Sequence, residues 1–302
     1  MKILINGLPY FSERLAKDLN ELNQRHSFRF IDTYNSKIAK LKFALQLPHS
    51  DGMISMNGVT DQSGSLDLAI RNRKKIWMQW QGTDVLLALK RAKEGTINRK
   101  YIDYSFHFTD APWLAEELKS IGIEAEIIQY KWLPQIETTS KFHQLAAYSY
   151  LAQNREEFYG WNTIKTFAIN YPDVQFYIVG SNGDALNDIP KNVVFKGWVD
   201  HHEMKKYQKE IPIFIRLTEH DGFSLSVLEA FANGAEVIWT QPHELAHLAS
   251  DIKGLRAFEK AFQKVNDNEF EPNQNNINYI KDNFQKLDVL NKLIKKIENV
   301  FG

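Results

Sequence analysis

Residues 216–240 read RLTEHDGFSLSVLEAFANGAEVIWT, and this stretch is the most informative part of the chain about its fold. An apolar strand ends at RLT, the turn EHDG follows, and Ser224 is placed to cap a helix that runs to Asn233. Gly234 is the expected C-terminal stop of that helix, and the apolar run EVIWT is the next strand. This order predicts a parallel β-α-β unit.

The start of the predicted helix offers a site for an anion. Its first amide groups, from Phe223 to Ser226, have no intrahelical acceptor and lie at the positive end of the helix dipole. Asp221 in the turn and Glu229 on the helix bracket this site. A carboxylate beside a bound diphosphate is repelled unless it serves another part of the ligand, and sugar hydroxyls are its natural partners. The stretch therefore predicts a site for a phosphate group that carries a sugar.

Strands and helices alternate along the rest of the chain, which predicts an α/β protein with two Rossmann-like domains facing a central cleft. The stretch KWLPQIETTSKFHQ at 131–144 interrupts the alternation with a proline and polar residues. We therefore predict an N-terminal domain over 1–134, a C-terminal domain over 135–277 and a closing helix over 278–302. The predicted strands are KILIN, GMISMNG, KIWMQW, YSFHFT and AEIIQY in the first domain, and LAAYSYLA, QFYIVG, NVVFKGWV, PIFIRLT and AEVIWT in the second.

Composition narrows the functional class. The 302 residues include 37 Lys and Arg against 37 Asp and Glu, so no overall positive field attracts nucleic acid. The absence of cysteine excludes disulfides and thiolate metal sites, and no apolar run approaches the length of a membrane span, so we expect a cytoplasmic protein. Residues 1–110 carry 17 Lys and Arg against 11 Asp and Glu, clustered at 71–75 and 89–101. These clusters are either solvated helix faces or a peripheral contact with an anionic membrane or a phosphorylated acceptor.

The stretch 216–240 resembles the donor-site signature of the retaining family 4 glycosyltransferases of GT-B fold. That signature runs Ser-x-x-Glu-Gly-Phe-Gly, a short apolar link, Leu-Glu-Ala, and then a glycine and a strand. The resemblance covers about residues 145–245, where NYPDVQFYIVGSNG and NVVFKGWV also resemble family segments. The N-terminal half resembles the family in architecture only. The matching positions, in order, are Thr218, Asp221, Gly222, Phe223, Leu225, Leu228, Glu229, Ala230 and Gly234.

The resemblance implies transfer of a sugar, with retention of its anomeric configuration, from a nucleotide-diphosphate donor to an acceptor hydroxyl, in cell-surface glycan or glycolipid synthesis. Glu229 would hold the ribose hydroxyls and Asp221 a hydroxyl of the transferred sugar, both in the catalytic centre. The diphosphate would lie against Gly222, Phe223, Ser224 and Leu225. The acceptor would be a saccharide or a lipid-linked sugar. Neither a cofactor nor a metal is expected, because helix amides and a basic side chain can neutralise the leaving group.

Two positions depart from the family pattern. Family members carry an arginine and a lysine that neutralise the diphosphate, the lysine just before a glycine at a helix start, where this chain has Tyr159 before Gly160. Arg155 is the predicted replacement on the same loop, with Arg216 as the alternative. The other departure is Asp221, which stands where glutamate is usual. A protein that binds nucleotide sugars without transferring them is therefore a second hypothesis.

Three residues of the first half are further candidates. Gly7 follows the first strand and is either a phosphate-approach glycine of the donor site or an ordinary tight turn. Thr83 and Asp84 in QGTDVLL resemble an acceptor-side loop of related enzymes, and Asp84 is equally placed to cap a helix.

The pentapeptide HELAH at 243–247 matches the H-E-x-x-H signature of zinc peptidases. That chemistry needs both imidazoles on one long helix and a third ligand further along the chain. The helix predicted here is bounded by Pro242 and by 250–254, and no third ligand stands in a recognisable context. We therefore expect HELAH to lie in the loop and helix after the strand AEVIWT and to bind no zinc, and we rank the peptidase hypothesis last.

Overall fold

The computed structural model describes residues 1–133, 141–249 and 254–302, in which strands and helices alternate as predicted. The strands are β1 Lys2–Asn6, β2 Ser27–Phe30, β3 Gly52–Ser55, β4 Lys75–Trp80, β5 Phe106–Thr109, β6 Ala125–Ile127, β7 Ala146–Tyr150, β8 Gln175–Val179, β9 Val193–Gly197, β10 Ile213–Arg216, β11 Glu236–Trp239 and β12 Ala246–Leu248. The helices are α1 Pro9–Leu22, α2 Lys37–Gln46, α3 Gly64–Arg71, α4 Thr83–Lys93, α5 Arg99–Tyr104, α6 Pro112–Ser120, α7 Trp161–Asn170, α8 His201–Glu210, α9 Leu225–Ala232, α10 Leu255–Asp267, α11 Gln274–Asn283 and α12 Lys286–Phe301.

The chain forms two compact units, each built on its own parallel sheet. The first unit consists of Met1–Trp132 with Lys286–Gly302, and the second of Leu133–Gln285. The boundary predicted between 134 and 135 lies outside the described residues. Both units are α/β with six-stranded sheets, which confirms the prediction of two Rossmann-like domains.

The first sheet has the strand order β2-β1-β3-β4-β5-β6. The chain moves outward from β1 to β2 and then crosses to β3 on the other side, so the strand order reverses between β1 and β3. All four residues of β3 are buried, as expected for a parallel strand covered on both faces. The edge strand β2 was not predicted, because its four residues SFRF are too few and too polar to form an apolar run.

The second sheet has the order β12-β11-β10-β7-β8-β9. Here the chain moves outward from β7 through β8 to β9 before it crosses to β10, so the order reverses between β7 and β10. The core of this sheet is aromatic and aliphatic, and it includes Phe167, Phe176 and Phe258. Because β7 and β10 pair in parallel, their carboxyl ends are neighbours. In open α/β sheets, ligands bind at such a switch point.

The prediction of one closing helix over 278–302 is wrong, because two helices share that segment. Helix α11 ends at Asn283 and α12 begins at Lys286. Between them Gln285 forms a parallel bridge with Leu133, whose amide donates to the carbonyl of Phe284 at 3.4 Å. These backbone groups are engaged with another segment, which separates the two helices.

Helix α12 packs on the N-terminal unit, as predicted. Its buried residues recur at helical spacing, and Leu293 and Ile297 belong to the same core cluster as buried residues of α1 and β1. Lys286 at its start pairs with Asp18 of α1 at 2.7 Å. None of the helices in the described part of the chain is both long and apolar enough to cross a membrane.

Candidate functional site

The two loops that flank the switch point of the second sheet are tied together by their backbones. The loop at 151–160 follows β7, and the loop at 217–224 follows β10. The amide of Glu219 donates to the carbonyl of Phe158 at 2.9 Å. Gly160, with φ of +85°, lets the first loop approach, since a Cβ there would lie 2.7 Å from the carbonyl oxygen of Leu217. The fold therefore brings the candidate residues Arg155 and Tyr159 of the first loop close to Asp221 of the second.

Arg216 and Asp221 form an ion pair at the end of β10. The guanidinium donates from two nitrogens to Oδ2 of Asp221, at 2.8 and 2.7 Å, and the hydroxyl of Thr218 lies 3.4 Å from the same oxygen. The side chains of Arg216 and Asp221 are 12% and 20% exposed, so both remain open to a ligand while the pair is largely desolvated. The ion pair with Arg216 thus holds the carboxylate of Asp221 in position, whereas the side chain of Glu219 is exposed.

Tyr159, at the position where the resemblance expects a lysine, has two guanidinium groups near its ring. Arg216 is 5.2 Å and Arg155 is 5.9 Å from the centroid of its ring. Arg155 is exposed and sits 4.3 Å above the ring of Phe158, whereas Arg216 is half-buried and held by Asp221. Both candidate replacements for the lysine are therefore at the switch point, and Arg216 is the one whose position is fixed by an ion pair.

Helix α9 receives no capping hydrogen bond from the side chain of its N-cap residue. Ser224 holds the N-cap position, with φ of −66° and ψ of 130°, but its side chain makes no capping hydrogen bond. Its hydroxyl instead lies 2.9 Å from the hydroxyl of Ser226. Ser224 is therefore the N-cap residue, as predicted, but the neighbouring hydroxyl takes the place of the capping bond expected from its side chain. The first amides of α9, beginning at Leu225, are left without a side-chain acceptor from the cap residue.

Phe223 has its side chain in the core and only its backbone near the helix start. It is 5% exposed, and its ring centroid lies 5.5 Å from that of Trp239, 5.4 Å from His243 and 5.5 Å from Phe284. Gly222 is also buried. A role for these two residues in holding a diphosphate is therefore a role for their amide groups, positioned by the aromatic cluster behind them.

Glu229 lies on α9 and is held by a residue that the sequence analysis missed. The side-chain amide of Gln208, on α8, donates to Oε2 of Glu229 at 2.8 Å. The hydroxyl of Tyr148, on β7, is buried and has no hydrogen-bond partner among the described residues. Burial raises the pKa of Tyr148 well above its ordinary value, and the negative charge of Glu229 adds to this effect. No local pattern marks Gln208 or Tyr148, because each reaches Glu229 from a separate element.

HELAH is not helical, which corrects the prediction for this segment. Glu244 and Leu245 form a turn, and Ala246–Leu248 is the edge strand β12. Nε2 of His243 lies 3.2 Å from the hydroxyl of Tyr279, and Nε2 of His247 lies 2.7 Å from Oε2 of Glu236. The two imidazoles are engaged with different partners and are not presented together by one helical turn, as a zinc peptidase requires.

Gly7 lies at the switch point of the first sheet. It has φ of +83°, and a Cβ there would lie 3.3 Å from Oδ1 of Asn57, which follows β3. The next helix, α1, has Pro9 in its first turn, so one of its leading amide hydrogens is absent. Gly7 therefore serves a tight turn from β1 into α1, beside the residues that follow β3, and its predicted role in donor binding stays a prediction.

Asp84 organises its own loop in the first unit. Its carboxylate accepts backbone hydrogen bonds from Gly58 at 2.6 Å, from Gly82 at 2.8 Å and from Val85 at 2.9 Å. Burial raises the pKa of Asp84, and these hydrogen bonds oppose the rise. Thr83 beside it is exposed at the start of α4. An acceptor-side role stays a prediction for both residues, and Thr83 is the one whose side chain is open to a ligand.

The first unit also contains a cavity of about 610 Å³. Loops after β2 and β3 line it together with α2 and α4, and its polar lining consists of hydroxyl, amide and charged groups. That lining includes Tyr34, Lys40, Asn57, Asp61, Ser63 and Arg91.

Comparisons with known proteins agree with this architecture. Residues 161–259 match the family described as glycosyl transferases group 1. A protein of Klebsiella pneumoniae, named as an uncharacterized 41.2 kDa protein in the cps region, is 30% identical over 103 residues, which make up 32% of this chain. The match spans only 28% of the length of that protein.

Solved structures that resemble the whole chain include two of similar length. HepE of Anabaena, in complex with UDP, has a TM-score of 0.70 at 10% identity, over 99% of this chain and 100% of that chain. Sucrose-phosphate synthase from Thermosynechococcus elongatus has a TM-score of 0.68 at 11% identity, over 100% of this chain and 99% of that chain. At such identities the likeness shows the fold, which is the two-domain GT-B architecture. Together with the matched segment 161–259, it supports a GT-B glycosyltransferase.

Proposed function

We propose that the chain transfers a sugar from a nucleotide-diphosphate donor to an acceptor hydroxyl, with retention of the anomeric configuration. The observation that carries this proposal is the arrangement at the second switch point. An ion pair of Arg216 and Asp221 stands beside the uncapped start of α9, and Glu229 lies on the same helix. A cation beside the amino end of a helix suits a diphosphate, and two carboxylates suit the hydroxyls on either side of it.

In this proposal each group has one task. Arg216 and the amides from Gly222 to Leu225 neutralise the diphosphate as it leaves. Asp221, already hydrogen-bonded to Arg216, accepts from a hydroxyl of the transferred sugar. Glu229, held by Gln208, accepts from the ribose diol.

The reaction breaks the bond between the anomeric carbon and the phosphate oxygen, and the acceptor oxygen bonds to the same face of that carbon. The phosphate oxygen takes the acceptor proton, so the step needs no separate general base. Because the acceptor attacks from the face that the phosphate leaves, the step needs no nucleophile of the protein either. The amides and Arg216 supply the positive charge that a metal would otherwise supply, so we propose that transfer is independent of metal.

The acceptor side of the proposal rests on the first unit. Its cavity carries the hydroxyls of Tyr34 and Ser63 and the amide of Asn57, groups that suit a saccharide or the sugar of a lipid-linked acceptor. The balanced charge of the chain argues against nucleic acid as the acceptor. We place the reaction in the cytoplasm, in the synthesis of a cell-surface glycan, with the basic N-terminal half towards an anionic membrane.

A donor panel tests the proposal. The full chain is incubated with UDP-, GDP- and ADP-sugars and simple saccharide acceptors, with and without EDTA, and release of nucleotide and product configuration are followed. We expect one nucleotide class to give an α-linked product from an α-linked donor, at a rate unchanged by EDTA. Binding of a nucleotide diphosphate without transfer to any acceptor or to water would instead support the binding-protein hypothesis that Tyr159 and Asp221 raise.

A further inference from the structure

Helix α2 presents an apolar stripe to solvent. Ile38, Leu41 and Leu45 are 80%, 62% and 65% exposed. They recur at the spacing that places residues on one side of a helix. Phe43, on the opposite side of the helix, is 2% exposed and anchors α2 to the first unit. The helix is therefore held with its aliphatic side chains outward, an arrangement that costs free energy in water unless something covers them.

The same helix is positively charged and contains no acidic residue. Lys37, Lys40 and Lys42 are its only charged residues, and the segment from Thr33 to Ser50 has neither aspartate nor glutamate. On a helical wheel, Lys37 and Lys42 lie about 70° to either side of the centre of the apolar stripe. Lysines in such positions bury their stems beside apolar groups while their ammonium groups reach outward.

These lysines differ from most basic residues of the clusters at 71–75 and 89–101 in the partners of their side chains. Lys37, Lys40 and Lys42 form no ion pair within residues 1–133, 141–249 and 254–302. Most of the clustered basic groups, by contrast, bind partners within the fold. Lys74 donates to the carbonyl of Ser50, Lys75 donates to that of Gly302, Arg91 pairs with Asp61, Arg99 with Asp103, and Lys100 with Asp67.

The charge on α2 decides between the possible occupants of the stripe. A second copy of the chain would bring like-charged lysines together, and three side chains bury far less than the roughly 1,200 Å² of a stable interface. An anionic bilayer surface matches both features, because aliphatic side chains enter the acyl boundary while lysines meet the headgroups.

We propose that α2 is the surface through which this protein binds an anionic lipid bilayer. The helix lies in the plane of the membrane, with Ile38, Leu41 and Leu45 inserted and Lys37 and Lys42 at headgroup level. The inference does not depend on sugar transfer, because binding to vesicles requires neither donor nor acceptor.

Sedimentation of the full chain with vesicles tests the proposal. One set of vesicles is phosphatidylcholine, and the other contains equal parts of phosphatidylcholine and phosphatidylglycerol. We expect binding to the anionic vesicles that weakens at high salt, and little binding to the neutral vesicles. The combined change Lys37→Gln and Lys42→Gln should weaken partitioning about 30-fold at low salt.

The apolar stripe and the matched controls are measured in the same assay. The combined change Ile38→Gln, Leu41→Gln and Leu45→Gln should weaken binding at least roughly tenfold at both salt concentrations, because apolar insertion is not screened. Two controls should change binding by no more than about twofold. One is Arg71→Gln with Lys93→Gln, from the two clusters, and the other is Ile169→Gln, an aliphatic residue 61% exposed on α7.

Three results would overturn the proposal. The first is equal and negligible sedimentation of the unaltered protein with both kinds of vesicle. The second is a loss in the Arg71 and Lys93 control as large as the loss in the α2 lysine variant. The third is a dimer in analytical ultracentrifugation that the apolar variant of α2 dissociates, since a second copy would then cover the stripe.

Discussion

The two sheets have the same number of strands but reverse their strand order at different places. In the first sheet the chain visits a single outer strand before it crosses, so the switch point lies between β1 and β3. In the second it visits two outer strands, and the switch point lies between β7 and β10. Each crossing leaves a crevice at the carboxyl edge of its own sheet, where ligands of open α/β sheets bind.

The two crevices differ in their chemistry. The first is formed by Gly7 and Asn57, and its helix α1 has Pro9 in the first turn. The second contains Arg216 and Asp221 beside the uncapped amides of α9. Strand order alone thus creates two possible sites, and the charged groups make the second suited to a diphosphate. The predictions below test whether this difference determines where the donor binds.

The largest effect is expected from the carboxylate at the second switch point. Asp221→Asn should slow sugar transfer about 100- to 1000-fold, because it removes a charged contact that strengthens as the sugar becomes cationic. Glu219→Gln is the matched control. Its side chain is exposed and only its amide serves the loop, so transfer should change by no more than about twofold. Full activity of the Asp221 variant with loss in the Glu219 variant would reverse the assignment.

The next effect separates the two arginines beside Tyr159. Arg216→Gln should weaken binding of UDP, or of whichever nucleoside diphosphate binds tightest, by about 10- to 100-fold in calorimetry, since it removes a positioned charge-assisted contact. Arg155→Gln, on the exposed side of the loop, should cost no more than about threefold. A larger loss for Arg155 would show that the loop after β7 supplies the cation.

A smaller effect is expected at Glu229. Glu229→Gln should weaken donor binding by about 1–3 kcal/mol with the fold intact. A thermodynamic cycle combines this variant with a nucleotide that lacks the ribose 2′-hydroxyl. The unaltered protein should bind that nucleotide more weakly than the normal one, and the variant should show a much smaller difference. Equal losses for both proteins would mean that Glu229 does not contact the ribose.

The smallest effect concerns the outer edge of the second sheet. Burial raises the pKa of Glu236, but the hydrogen bond with His247 and the charge of Lys264 outweigh it and hold that pKa below 4.5. A lowered carboxyl pKa stabilises the fold above the unfolded value, and the contribution is lost as pH falls through the folded value. Glu236→Gln should therefore reduce the free energy of unfolding by about 1–2 kcal/mol at neutral pH.

The pH dependence of that difference is the control. The gap between the unaltered protein and the Glu236 variant should shrink as the pH falls below 4.5. A gap that is the same at pH 7 and in acid would show that the carboxylate is not held by these partners. Urea unfolding of both proteins at several pH values measures this difference in the free energy of unfolding.

The sequence predicted those features that depend on local patterns. Ten of the strands follow apolar runs bounded by turns, and the strand, turn and helix around Asp221 lie where the motif placed them. Contacts with neighbouring segments override these local patterns in two places. The last two residues of HELAH join the edge strand β12 because β11 offers a partner, and the hydroxyl of Ser224 pairs with that of Ser226.

Long-range contacts explain what the sequence could not reveal about the site. Gln208 reaches Glu229 from α8, and Arg216 meets Tyr159 from the end of another strand. These pairs are set by strand order, which a single sequence does not specify. The sequence therefore marked the two carboxylates as candidates but gave no sign of the residues that contact them.

Hydrogen exchange with bound nucleotide tests the central claim most directly. The full chain is exchanged with and without saturating UDP, or with the nucleoside diphosphate preferred in the donor panel, and protection is mapped by mass spectrometry. The account predicts new protection at 217–228, with a smaller change at 151–160, because the diphosphate engages the first amides of α9. The first switch point, at 7–9 and 56–58, should remain unchanged. Protection there, with none at 217–228, would contradict the assignment of the donor to the second sheet.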